Sequence, residues 1–212
     1  MGTTALAERL RGETRELHSE AERSGVMAAL LQGRLSLASY CALLRNLHAI
    51  YSALEAAQRA RRDDPMIAAL HSPALLREAA LTGDLERLHG AAWRQELLVR
   101  PATAEYVERL RGIAAAGSVA LVAHVYVRYL GDLHGGQILK RRIVKQFGPW
   151  SEGGTRFYDF GSEPATMALR QAFRAGLSGL RPSASDADVI VAEARWAFEQ
   201  HKVLFDELQA AA

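Results

Sequence analysis

Apolar residues recur at intervals of three and four positions along most of the chain, which is the spacing of the buried face of an amphipathic helix. The first such face runs from Leu6 to Ala21, a longer one from Leu37 to Leu54, and a last one from Val189 to Leu208. The strand pattern, in which apolar and polar residues alternate, does not compete with them. The sequence therefore predicts an all-α fold of about eight helices in a single domain, residues 1–212.

The predicted helix ends coincide with residues that commonly cap helices. A short helix over residues 26–32 is closed by Gly33. Small polar residues precede the predicted helices and are the expected N-caps: Thr4, Ser36, Ser118, Ser162 and, in a capping box with Asp188, Ser185.

The central segment, residues 125–143, has helical spacing but contains three glycines in its interior. Gly131, Gly135 and Gly136 each cost about 1 kcal/mol relative to alanine in a helix. They could expose bare backbone to a flat ligand or let the helix kink, whereas two other interpretations are close packing against another helix and a loop between two helices. Neither of these two explains the acidic Asp132 beside the glycines.

The string YVRYLGDLHGGQ, residues 126–137, resembles the distal-helix motif of the biliverdin-producing haem oxygenases. That motif reads tyrosine, any residue, arginine, tyrosine, leucine, glycine, aspartate, leucine, serine, glycine, glycine, glutamine. The chain agrees at every specified position except His134, where serine is usual. The resemblance implies haem sandwiched between an N-terminal helix with an axial histidine and the kinked, glycine-rich helix.

Three further segments are similar to parts of the same family. Residues 16–22 (ELHSEAE), followed by Met27, resemble its proximal helix, which makes His18 the axial iron ligand. Residues 170–180 resemble its propionate-binding helix, which makes Arg170 and Arg174 candidates for holding the haem carboxylates. Residues 197–209 resemble its final helix, with Phe198 and Phe205 at the aromatic positions.

The neighbours of His18 suit a ligand role. Thr14 and Ala21 are small enough to leave room for a bulky ring system, and Glu22 lies one turn on, where it could accept the second ring N–H. Arg11 returns to the same face roughly 10.5 Å away, a suitable reach from a central iron to acidic groups at the edge of a macrocycle. The alternatives are an ordinary surface or core histidine and, for Arg11, a solvated face.

Composition narrows the remaining possibilities. The chain has a formal charge of +2 and contains neither an apolar run long enough to cross a bilayer nor a signal-peptide pattern, so we expect a cytoplasmic protein without a membrane partner. The single Cys41 excludes an internal disulfide and covalent Cys-x-x-Cys-His attachment of haem. A basic run over residues 140–145 lacks the aromatic residues of a nucleic-acid site, so we expect a solvated face, which could also dock an acidic electron donor.

The family resemblance implies oxidative opening of haem to biliverdin, with release of iron and carbon monoxide. The reaction uses O2 and electrons from a separate protein, a ferredoxin or a reductase, because no flavin or nicotinamide motif is found in the chain. Haem is then both substrate and cofactor. Gly131 and Gly135 would crowd the iron-bound ligand, Asp132 would order water that delivers protons, and Tyr126 and Arg128 would support that water network. The alternatives are a haem carrier or sensor on the same fold and a purely structural helical adaptor.

His134 is the departure from the family motif, and three roles are open to it. Its imidazole could bind the iron as a sixth ligand, join the water network of Asp132, or point outward. We expect the second, because an imidazole can donate a hydrogen bond where serine would.

Overall fold

The computed structural model describes residues 5–211, and within this range it contains helices and connecting turns but no β-strand. The all-α prediction is confirmed. The α-helices, which we label α1 to α11 in chain order, are Leu6–Glu22, Gly25–Leu31, Leu37–Ala60, Pro65–Ala68, Glu78–Leu88, Trp93–Glu96, Pro101–Ala115, Leu121–Val125, Gly131–Phe147, Glu163–Gly179 and Ala184–Ala210. Short 3₁₀ helices occupy Pro73–Leu75, Pro149–Gly154 and Arg156–Tyr158, and a π-helical segment occupies Tyr126–Leu130.

The expected number of about eight helices was too low for the described residues, which form eleven. Two of the additional helices, α4 and α6, have only four residues each and lie in the connections on either side of α5. The third arises because the central helix is divided into α8 and α9 by the π-helical segment.

Several predicted caps are confirmed. The Ser36 hydroxyl accepts a hydrogen bond from the backbone N–H of Ser39 at 3.0 Å, and Ser162 caps α10 in the same way. Gly33 closes the short α2 with a φ of +68°, in the left-handed region that favours glycine. The predicted cap at Thr4 lies outside the described residues.

Two predicted caps are wrong. The last helix begins after Ser183, whose hydroxyl accepts from the Asp186 N–H at 3.1 Å, and not at Ser185. Ser183 has the same spacing to an acidic residue and follows Pro182 directly, while Asp188 pairs with Arg9 of α1 at 2.9 Å. Ser118 accepts from Ala120 at 3.2 Å within a turn, and α8 begins only at Leu121.

The core is built around the two long helices α3 and α11. Helix α3 packs against α5 and α7, and α11 packs against α1, α2, α7 and α8. The largest fully buried side chains at their interfaces are aromatic, including Tyr40, Tyr51, Trp93, Tyr106 and Tyr129. None of the helices in residues 5–211 is long and apolar enough to cross a membrane.

The irregularity in the central segment lies before the glycines and not at them. Residues Tyr126–Leu130 are π-helical, whereas Gly131, Gly135 and Gly136 all belong to the regular α-helix α9. A π-helical turn inserts an extra residue into the hydrogen-bond pattern and re-aims the side chains that follow it. The glycines thus keep the helical spacing expected of them, and the π-helical segment that precedes them was not predicted.

Candidate functional site

A cavity of about 790 Å³ lies between α1 on one side and the π-helical segment with the start of α9 on the other. Helices α10 and α11 contribute Leu177 and Phe198 to its wall. This volume is within the usual range for sites of small organic ligands and cofactors. Of the residues singled out in the sequence, the cavity is lined by Arg11, Thr14, His18, Tyr126, Gly131, His134, Arg174 and Phe198.

The α1 side of the cavity presents a single imidazole between small and cationic residues. The His18 side chain is 46% exposed, and its ring lies edge-on to Phe198 with the ring centroids 5.6 Å apart. Glu22 lies 3.9 Å from Nδ1 of His18, which is too long for a direct hydrogen bond but within range of a water bridge. Thr14 also lines this side; it is buried, and its hydroxyl donates to the Leu10 carbonyl at 2.6 Å.

The opposite side of the cavity is mainly apolar between Tyr126 and His134, and it includes bare backbone. Val127 and Leu130 line it together with Gly131, and a Cβ atom added to Gly131 would meet nothing within 4 Å. A side chain at this position would therefore occupy the cavity itself. A Cβ atom added to Gly135 would likewise meet nothing within 4 Å, but Gly135 does not line the cavity. A Cβ atom added to Gly136 would lie 3.6 Å from the ring of Tyr158.

Asp132 lies behind the cavity wall, 9% exposed, and not on its surface. The buried hydroxyl of Tyr51, from α3, donates a hydrogen bond to one oxygen of this carboxylate. The other oxygen lies 3.4 Å from Nη2 of Arg128. Burial raises the pKa of Asp132, while the positive charge of Arg128 and the hydrogen bond from Tyr51 act in the opposite direction.

Arg128 makes two more contacts that join three elements. Its Nε donates to the Tyr51 hydroxyl at 3.1 Å, and its Nη1 donates to Nε2 of His201, from α11, at 2.8 Å. Burial alone would lower the pKa of Arg128, but the neighbouring Tyr51 and Asp132 raise it above the ordinary value, so the guanidinium stays charged. Tyr51 and His201 were not among the predicted site residues.

Another set of buried polar residues lies beside this one. His124, from α8, bonds the Tyr106 hydroxyl at 2.8 Å and Glu193 at 3.0 Å, and Arg109 pairs with Glu193 through two of its nitrogens. Although burial would raise the pKa of Glu193, the hydrogen bonds from His124 and Arg109 lower it to about 2. The ring of Tyr106 lies edge-on to His201, 5.1 Å between centroids, and so connects the two sets.

His134 and Arg174 form a contact at the edge of the cavity. Nδ1 of His134 donates to the Leu130 carbonyl at 2.7 Å, so Nε2 is free to accept from Nη2 of Arg174, 2.5 Å away. Burial lowers the pKa of His134, and the charges of Arg174 and Arg170 lower it further. The side chain therefore spans from α9 to α10.

Met27, Phe205, Glu22 and Arg170, four of the residues predicted to bind haem, do not line the cavity. Met27 is partly buried against the core, and Phe205 is only 4% exposed, with its backbone carbonyl packed against Gly25. Phe205 lies two turns beyond Phe198 on α11, where the helix faces α2. Arg170 lies one turn before Arg174 and is partly exposed.

The chemistry of the cavity suits a flat apolar ligand that carries both a metal and acidic groups. Within residues 5–211 no group of three or more His, Cys, Asp and Glu side chains is arranged to hold a metal ion. A metal that comes with its own macrocycle needs only one or two further ligands, and His18 offers one imidazole. Arg11, Arg15 and Arg174 place cations around the apolar walls, where carboxylates of the same ligand could be held.

Comparison with known proteins identifies the family. The "Heme oxygenase" family model matches residues 4–207. The chain belongs to the haem oxygenase family. Its curated relatives include Heme oxygenase 1 of the cyanobacterium Synechocystis sp., 38% identical over 96% of this chain and 85% of that protein, and Heme oxygenase 1 of Gallus gallus, 36% identical over 96% and 70%. The crystal structure of heme oxygenase-1 from Synechocystis in complex with heme aligns with a TM-score of 0.91 at 37% identity, covering 98% of this chain and 94% of that one.

In this haem oxygenase, sequence patterns identify only some of the residues that lie behind the cavity. Tyr51 falls on the apolar face of α3 and is fully buried, as a core residue would be. Its hydroxyl, however, requires a partner when buried, which was a usable signal. His201 and His124 also lie on apolar faces and carry the same signal, but their partners come from distant segments and could not be identified from spacing.

Proposed function

We propose that this protein is a haem oxygenase that opens haem to biliverdin and releases iron and carbon monoxide, using O2 and electrons from a separate donor protein. The observation that carries the proposal is the placement of one accessible imidazole, His18, and one bare backbone strip, Gly131, on the walls of the same cavity. A buried carboxylate, Asp132, is hydrogen-bonded directly behind that strip. A simple binding protein has no use for the third feature.

Haem would be held by complementary groups that already line the cavity. His18 would supply an imidazole for the iron, and the carboxylate of Glu22, 3.9 Å from Nδ1, would stabilise the orientation of the ring. Val127, Leu130, Leu177 and Phe198 provide apolar walls for the ring. Arg11 and Arg174 lie at the cavity edge for the propionates, with Arg170 one turn away on the same face of α10. Phe205 and Met27 belong to the core and do not line the cavity, so they would not contact the ring directly.

Bound haem supplies the iron at which O2 is activated, and the protein controls the proton supply. Asp132 accepts from Tyr51 on α3 and from Arg128 in the π-helical segment, and these two hydrogen bonds fix its orientation. Its raised pKa makes proton exchange with an ordered water less costly than for an exposed carboxylate. Gly131 leaves space in the cavity for such water, and Tyr126 lines the cavity near Thr14, whereas Gly135 is open but lies outside the cavity lining.

The electron donor would dock on the basic outer face of α9. Arg141, Arg142 and Lys145 are exposed there, while Lys140 is paired with Asp159 at 3.0 Å. A cationic surface steers an acidic protein such as a ferredoxin or the flavin domain of a reductase. We place the reaction in a bacterial cytoplasm, where such donors and reduced cofactors are present.

The proposal is tested by adding haem and then ascorbate in air. Loss of the Soret band with growth of a red-absorbing product, identified as biliverdin by chromatography, is expected. A stable haem spectrum that ascorbate does not alter would assign the protein to haem carriers or sensors and overturn the proposal. Absence of any haem spectrum would assign it to structural adaptors and overturn it as well.

A further inference from the structure

His201 contacts the guanidinium of Arg128, which in turn adjoins Asp132. The proposed haem site gives this histidine no role. His201 lies on α11, 3% exposed, and its Nε2 is 2.8 Å from Nη1 of Arg128. Its Nδ1 is 2.6 Å from the Ala197 carbonyl one turn earlier on the same helix. Both ring nitrogens therefore have a hydrogen-bond partner, and each partner can act in only one way, as a donor or as an acceptor.

These two partners permit only one protonation state of the ring. A backbone carbonyl only accepts, so Nδ1 must carry a hydrogen, and a guanidinium only donates, so Nε2 must present its lone pair. A second proton on the ring would bring two N–H groups together at 2.8 Å in a buried space. Burial and the charge of Arg128 accordingly lower the pKa of His201 to about 3.

Arg128 is held at three of its nitrogens by three different helices. Nε bonds Tyr51 of α3, Nη2 is directed at Asp132 of α9, and Nη1 bonds His201 of α11. Because the guanidinium is planar and rigid, fixing Nη1 and Nε fixes the position of Nη2. The ring of His201 is itself packed against two aromatic rings. Its centroid lies 5.1 Å from that of Tyr106 and 5.9 Å from that of Phe205.

We infer that His201 is a positioning residue whose neutral imidazole fixes the Arg128 guanidinium against Tyr51 and Asp132. A neutral acceptor suits this role because a carboxylate at the same place would compete with Asp132 for the positive charge. The inference rests on the proposed function only for the importance of Asp132; the hydrogen-bond geometry is independent of it.

The inference is tested in the haem-free protein by measuring the pKa of the Asp132 side chain by carbon-detected NMR. The signal is assigned by its loss in Asp132→Asn. The other ionisable groups that influence this carboxyl, Tyr51, Arg128 and Arg77, are left unchanged in every variant compared. His201→Leu removes the acceptor at similar volume, whereas His201→Gln retains a neutral acceptor that can reach Arg128.

With His201→Leu the guanidinium is free to turn away, so the pKa of Asp132 should rise further, by about one unit, since a nearby opposite charge lowers a carboxyl pKa by roughly 1–3 units. His201→Gln should remain close to the unmodified protein. A matched control is His124→Gln, which disturbs an equally buried histidine that does not contact Arg128 and should leave the pKa of Asp132 in place.

An unchanged pKa in folded His201→Leu, or an equal rise in His124→Gln, would overturn the inference. If His201→Leu does not fold, His201→Met serves in its place with the same expected rise, and an unchanged pKa there has the same consequence. Failure of the proposed function would appear differently, as absence of biliverdin from the unmodified protein while the pKa response to His201→Leu is retained.

Discussion

The buried, neutral state of His201 predicts a specific loss of stability in mild acid. In the folded protein its pKa is lowered to about 3, by burial first and by the charge of Arg128 second. In the unfolded chain a histidine has a pKa of about 6.5. The unfolded state therefore binds the proton more readily, and the stabilising contribution of His201 is present above pH 6.5 and is lost as the pH falls toward 3.

The size of this effect follows from the two pKa values. Each unit by which the pH falls within that window lowers the free energy of unfolding by about 1.4 kcal/mol. Between pH 7.5 and pH 5, only about one and a half units lie below the unfolded pKa, so the loss from His201 is about 2 kcal/mol. His48 and His124, whose pKa values burial also lowers, act in the same direction, whereas Asp84, whose pKa burial raises to about 6, acts in the opposite one.

The contribution of His201 is isolated by comparing the unmodified protein with His201→Gln, because the other groups cancel in the difference. Chemical denaturation of both haem-free proteins, followed by circular dichroism from pH 7.5 to pH 5, gives their free energies of unfolding. The unmodified protein should lose about 2 kcal/mol more than the variant over this range. His71→Gln, a substitution of an exposed histidine, is the control and should follow the unmodified protein. Parallel curves for the unmodified protein and His201→Gln would refute the reasoning.

Three further predictions concern the cavity itself. His18→Ala should fold but lose the normal haem spectrum and turnover, with partial recovery on adding imidazole; an unchanged spectrum would mean that another histidine binds the iron. The double substitution Arg170→Glu and Arg174→Glu should weaken haem affinity, by up to about 1 kcal/mol for each lost exposed contact, and alter the biliverdin isomer; unaltered affinity and isomer would move the propionates elsewhere. His134→Ser should shift the alkaline transition of the ferric haem complex while the signals of the His18 ligand stay in place, and identical transitions would make His134 a bystander.

Local patterns were sufficient to predict the fold class and several helix ends. Ser36 and Ser162 cap helices as expected because N-cap preference depends on a few neighbouring residues. The same locality explains the error at Ser185, since Ser183 offers an equivalent spacing to Asp186 and only the packed structure decides between them. The division at Tyr126–Leu130 was also missed, because a π-helical segment of only five residues changes too few apolar positions to be recognised from their spacing.

The candidate site was predictable where a continuous motif defines it and not where distant segments meet. Gly131, Asp132 and Arg128 fall within one string, and the structure brings Asp132 and Arg128 within 3.4 Å of each other. Tyr51 and His201 join them from positions 77 and 73 residues away from Arg128. A polar side chain on a buried face is expected to have a hydrogen-bond partner, but which residue that partner is depends on tertiary packing.

We propose that the hydrogen-bonded Asp132 makes this protein an oxygenase and not only a haem-binding protein. It is tested most directly by measuring biliverdin formed per haem, in a single turnover with ascorbate in air, for the unmodified protein and Asp132→Ala. Because Asp132 lies behind the cavity wall, the variant should bind haem with an unaltered His18 spectrum while its biliverdin yield collapses. A normal yield of biliverdin from Asp132→Ala would contradict the account.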